Sequence, residues 1–117
     1  MFKLLECLKI IGVAYNGVSR IDVKGQDVLI TGAGPIGLFS TAVAKALGAS
    51  KVIVADINAE RLQLAKVMGA DVIINSKLYS LKDVIMNMTG GDGVPRLVEA
   101  SGASVVVNNC FKMLQKV

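Results

Sequence analysis

Histidine is absent from this 117-residue chain, and cysteine occurs twice, at Cys7 and Cys110. There is no Cys-x-x-Cys pair, so a zinc site built by this chain alone is not expected. Two thiols at opposite ends of the sequence suit a reducing compartment and argue against a disulfide scaffold. Aromatic residues make up only 4% of the chain. The apolar mass is therefore Val, Ile, Leu and Ala, which favours buried parallel strands with packed helices over a β-sandwich. No apolar run approaches the ~18 residues that a membrane span needs. The opening stretch MFKLLECLKIIGVAY has some signal-peptide character, but Glu6 and Lys9 interrupt it and no small-residue cleavage site follows. A soluble cytoplasmic protein is the expectation. Charged residues are also few, 19% against 53% hydrophobic, so the chain is globular rather than disordered. The net charge of +4 comes from scattered lysines without interleaved aromatics, which reads as solvated faces rather than a nucleic-acid surface.

What the chain does have is glycine in a telling place. Residues 27–37 read DVLITGAGPIG. Val28 to Thr31 form an apolar, β-branched run suited to a buried parallel strand. Gly32, Gly34 and Gly37 follow in the spacing G-x-G-x-x-G, with Pro35 where a first helical turn favours a fixed φ. Ile36 then leads into a helix that runs to Leu47 and stops at Gly48. Strand, glycine turn and helix together make a dinucleotide fingerprint. Gly32 permits the tight turn, Gly34 lets a pyrophosphate approach the backbone, and Gly37 lets the helix lie close to its strand. The helix N-terminus, with Pro35 and Ile36, offers N–H groups and partial positive charge to the phosphates. A G-x-x-x-x-G-K-[ST] phosphate loop is excluded, because Leu38 follows Gly37.

The rest of the chain repeats the pattern. Leu4, Leu5, Leu8, Ile11, Tyr15 and Val18 predict an amphipathic lead-in helix from Phe2 to about Ser19, followed by a polar turn over Asp22–Gln26. Lys51–Ala55 is a second strand closed by Asp56, and Asn58 caps a helix from about Ala59 to Met68. Asp71–Asn75 is a third strand, Ser80–Thr89 a third helix and Arg96–Ala100 a fourth strand. A turn at Ser101 and Gly102 leads to a last helix from Ala103 to Lys116. The alternation predicts an α/β, Rossmann-type doubly wound parallel sheet in the order 3-2-1-4. The expected division is a helical lead-in over 1–24 and a partial dinucleotide-binding unit over 25–117.

Asp56 lies about 20 residues after the glycine motif, at the end of the second strand. A carboxylate there hydrogen-bonds the adenosine ribose and repels a 2′-phosphate, so NAD is expected rather than NADP. The alternative is that Asp56 only caps the next turn. Arg61, one turn into the next helix, is placed to reach the ribose or adenine; its alternative is an ordinary solvated arginine. Ser101, after the fourth strand, is placed to hydrogen-bond the cofactor or else to cap the final helix.

The stretch GQDVLITGAGPIGLFSTAVAKALGASKVIVADINAERLQLAKVMGADVIIN resembles the cofactor domain of zinc-dependent medium-chain dehydrogenases. It looks most like the branch of threonine 3-dehydrogenase and sorbitol (polyol) dehydrogenase. TGGDGVPRLVEASG resembles the same family's loop and fourth strand, with Pro95 where an acidic residue is common. The resemblance implies NAD(H)-dependent oxidation of a secondary alcohol whose oxygen is polarised by zinc. It also implies that Gly32, Gly34, Gly37, Asp56 and Arg61 contact the cofactor. The segment LLECL is similar to a Glu-Pro-Leu segment near the family's metal site, with Glu6 as the matching carboxylate and Cys7 in the proline's place. The family's zinc-bearing catalytic domain and its later strands have no counterpart in these residues. The expectation is a truncated or split gene product that binds NAD weakly, binds no zinc and catalyses nothing alone. Its fourth strand is expected to self-associate or to pair with a complementing fragment. The competing readings are a freestanding NAD-sensing regulatory module and, further off, an S-adenosylmethionine-dependent methyltransferase fragment.

Overall fold

The computed structural model describes residues 15–100. The expected helix over residues 2–14, Glu6, Cys7, Ser101 and the final helix with Cys110 lie outside the described residues. Residues 15–19 are helical, and the segment that follows leads into the first strand. The elements then run β1 (Asp27–Thr31), α1 (Pro35–Ala46), β2 (Lys51–Asp56), α2 (Ala59–Val67), β3 (Val72–Asn75), α3 (Leu81–Met88) and β4 (Arg96–Glu99).

All strand pairs are parallel, and the sheet order is β3-β2-β1-β4. This is the predicted doubly wound arrangement. Its logic is visible in the side chains. Val28 and Ile30 of β1 and Val52 and Val54 of β2 point to one face, where Ala44 of α1 and Leu62 and Ala65 of α2 cover them. Leu29, Ile53 and Ala55 point to the other face and pack with Ile74, Ile85 of α3 and Val94. Successive residues of a strand face opposite sides, so a run such as Val28-Leu29-Ile30 makes sense only when both faces are covered. The crossover β3-α3-β4 returns past β1 on the second face, which is what splits the helices between the two faces.

The lead-in residues share this core. Val18 and Val23 are buried and Ile21 packs beside them on the α1–α2 face. The strand ends follow local chemistry. β3 begins at Val72 rather than Asp71, because the Asp71 carboxylate turns back to accept the Val52 N–H at 2.8 Å and the Lys45 ammonium at 3.0 Å. Asn58 caps α2 by accepting the Arg61 N–H at 3.0 Å, and Ser80 caps α3. Gly48 and Gly69 adopt positive φ just beyond α1 and α2, where a helix stops most readily at glycine. No helix among the described residues is long and apolar enough to cross a membrane.

Candidate nucleotide site

The site forms where β1 and β2 end and α1 begins, at the carboxyl edge of the sheet next to the point where the chain order reverses. Gly32 leaves β1 with φ 98°, a conformation that side chains resist, and its N–H donates to the Ala55 carbonyl at 2.7 Å. Gly34 is the N-cap of α1, with Pro35 in the first turn. The Leu38 N–H makes the first intrahelical bond, to the Gly34 carbonyl at 2.9 Å. The N–H groups of Ile36 and Gly37 precede it and have no intrahelical acceptor. They head a helix whose dipole favours an anion there.

The three motif glycines meet three different demands. Gly32 needs the positive φ. A Cβ on Gly37 would lie 1.7 Å from the Gly32 carbonyl oxygen, so helix and turn touch backbone to backbone there. Gly34 has φ −73° and ψ −172°, open to any residue, and a Cβ on it would meet nothing within 4 Å. The structure itself therefore makes no demand for glycine at this position. The space above it is open, so a side chain there would meet no part of the protein. A pyrophosphate fits the turn on this ground.

Asp56 closes the site from β2. Its Oδ2 accepts the Ala33 N–H at 2.7 Å, and its Oδ1 accepts the N–H groups of Ile57 at 2.6 Å and Asn58 at 3.2 Å. The glycine turn and the acidic residue are thus in direct contact, although far apart in sequence. Arg61 is exposed in the first turn of α2, adjoining this lip. Ile36 is partly exposed on the helix mouth. Ser101 lies outside the described residues.

Two features of the site were not anticipated. Ala33 supplies the amide that meets Asp56. Thr31 and Glu99, the last residues of β1 and β4, are register partners, and the Thr31 hydroxyl donates to Glu99 Oε2 at 2.9 Å. Aligning the amino ends of the predicted strands, Val28 with Arg96, would have paired them. A shallow depression lined by Ser19, Arg20, Asp22, Lys24 and Leu47 lies toward the amino ends of β1 and β2, away from the glycine turn. Among the described residues, no group of three or more His, Cys, Asp or Glu is placed to hold a metal ion.

Residues 35–117 match the model of the zinc-binding dehydrogenase family. The chain belongs to that family. An alcohol dehydrogenase of Cupriavidus necator is 34% identical over 114 residues, covering 97% of this chain and 31% of that protein. The L-threonine 3-dehydrogenase of Legionella pneumophila (strain Corby) is 40% identical over 103 residues, 88% of this chain and 30% of the relative. Among solved structures, the alcohol dehydrogenase TADH from Thermus sp. ATN1 superposes with a TM-score of 0.84 at 32% identity, over 90% of this chain and 30% of that one. The chain thus spans about a third of the length of the dehydrogenases it matches, and within this family its described part is the Rossmann-like sheet.

Proposed function

We propose that this chain is the NAD(H)-binding part of a zinc-dependent alcohol, polyol or threonine dehydrogenase, with residues 25–117 forming the cofactor unit. The observation that carries the reading is the lip where the glycine turn, open above Gly34, is joined to the Asp56 carboxylate through the Ala33 N–H. The open backbone at Gly34 and the amides of Ile36 and Gly37 would hold the pyrophosphate, with Gly32, Pro35 and Gly37 setting the turn. Asp56 would hold the adenosine ribose, with Arg61 and Ser101 proposed as further contacts. When bound, the nicotinamide accepts or gives the hydride. This chain's described residues bind and orient it and supply no metal shell or proton relay. On this reading the chain alone transfers no hydride, acts in the cytoplasm, and meets zinc and substrate only through residues other than these.

The Asp56 carboxylate opposes a second negative charge at the ribose, so NADH binds about tenfold or more tighter than NADPH. Fluorescence titration with the two reduced cofactors checks this, and equal affinities would remove Asp56 from the site. Among the described residues β4 lies at one end of the sheet, and its side chains are only half-buried where the central ones of β1 and β2 are almost wholly covered. Its outer edge supports self-association or pairing with a complementing fragment. Sedimentation velocity over a range of concentrations tests this, and a monomer at every concentration speaks against it.

A further inference from the structure

The geometry points to a second role for Asp56: it is a positioning residue for the glycine turn, holding the Ala33 amide and through it the phosphate-facing backbone, apart from any contact with a ribose. This rests on the reading of the turn as a phosphate site. The β1–β2 ladder runs in register up to Thr31 and Ala55, and Gly32 N–H extends it by bonding the Ala55 carbonyl. The next donor is Ala33 N–H, on a residue with no exposed surface. Carbonyls alternate in direction along a strand, so the Asp56 carbonyl points to the β3 side, where it accepts the Ser76 N–H at 3.0 Å, and the main chain at the end of β2 offers Ala33 no acceptor. Oδ2 of Asp56 supplies the acceptor instead, while Oδ1 holds the chain's departure at Ile57 and Asn58. The carboxylate therefore ties the backbone to the end of β2 at the point where it leaves β1 for α1. Without it the buried Ala33 amide must find another partner, and the turn moves with it.

One consequence concerns cofactor choice. Replacing Asp56 to admit a 2′-phosphate also loosens the turn, so such a variant loses affinity for NAD and NADP alike.

The test compares the full 117-residue chain with Asp56→Ser and Asp56→Ala. Serine retains a hydroxyl able to cap Ile57 and Asn58 but is too short for Ala33, so it preserves the β2–α2 turn. Amide hydrogen exchange without ligand, followed by NMR, is expected to show Ala33 protected in the native chain and exposed in both variants, with Val52 and Val54 unchanged. The chains are then titrated with ADP and with 2′,3′-dideoxy-ADP, which has no ribose hydroxyls to offer Asp56. Both variants are expected to bind the dideoxy nucleotide about tenfold or more weakly than the native chain. Unchanged exchange at Ala33, or a loss confined to ADP, overturns the positioning role and leaves the nucleotide reading standing. A native chain that binds neither nucleotide overturns both.

Discussion

A glycine in a turn is usually justified by the turn, and at Gly34 that justification fails. Gly34→Ala meets no neighbour and no forbidden φ, so its melting temperature should match the native chain's. Its NAD affinity should fall steeply, because the new methyl occupies the phosphate's approach. Gly37→Ala should behave in the opposite way. Its Cβ meets the Gly32 carbonyl, helix α1 must move off the sheet, and denaturant unfolding should show a loss of at least about 2 kcal/mol. Ser40 gives a third case. Its hydroxyl, on the buried face of α1, has no hydrogen-bond partner among the described residues, so Ser40→Ala should leave stability unchanged or raise it by about 1 kcal/mol. The motif's spacing announced the glycines and Asp56, because their roles depend on backbone shape and chain order. It was silent on Ala33, since the amide that meets Asp56 belongs to a residue of no chemical distinction.

Among the elements, a carboxylate acts at each end of β2: Asp56 at its carboxyl end holds the Ala33 amide of the glycine turn, and Asp71, just before β3, holds the Val52 amide at its amino end. Burial works to raise the Asp71 pKa. The Val52 N–H, the Lys45 hydrogen bond and the charges of Lys45 and Lys51 outweigh it and hold the group below its ordinary value. A carboxylate with a lowered folded-state pKa contributes stability that is present above the unfolded value of about 3.9 and is lost as pH falls through the folded one. Acid unfolding followed by circular dichroism should therefore be less steep at its low-pH end in Asp71→Asn. The Lys45–Asp71 pair is partly exposed and contributes little by itself. The Val52 amide is different, because Val52 is fully buried. Asp71→Ala should cost about 1–3 kcal/mol in chemical denaturation, and Lys45→Met well under that. The alternation of strands and helices was readable from short Val/Ile-rich runs separated by Gly48, Gly69 and the Gly90–Gly93 loop. The start of β3 was misread by one residue: Asp71 extends the apolar run Asp71–Asn75 in sequence, yet its carboxylate is spent across the sheet, which only the paired strands reveal.

At the scale of the whole molecule, both faces of the sheet are covered among the described residues, and the fold sets the start of α1 beside one acidic residue, Asp56. Strand order followed from the handedness of parallel crossovers, and the family followed from the motifs set in that order. If the lip is a dinucleotide site, NAD should stabilise the fold by mass action, with the melting temperature rising as ligand is added. Calorimetric titration of NAD into the native chain and into Gly34→Ala, matched for thermal stability, tests the account most directly. The account predicts saturable binding to the native chain in the micromolar to low-millimolar range and its loss in Gly34→Ala. A well-folded native chain that takes up no NAD, or an alanine variant that binds it equally well, would contradict the account.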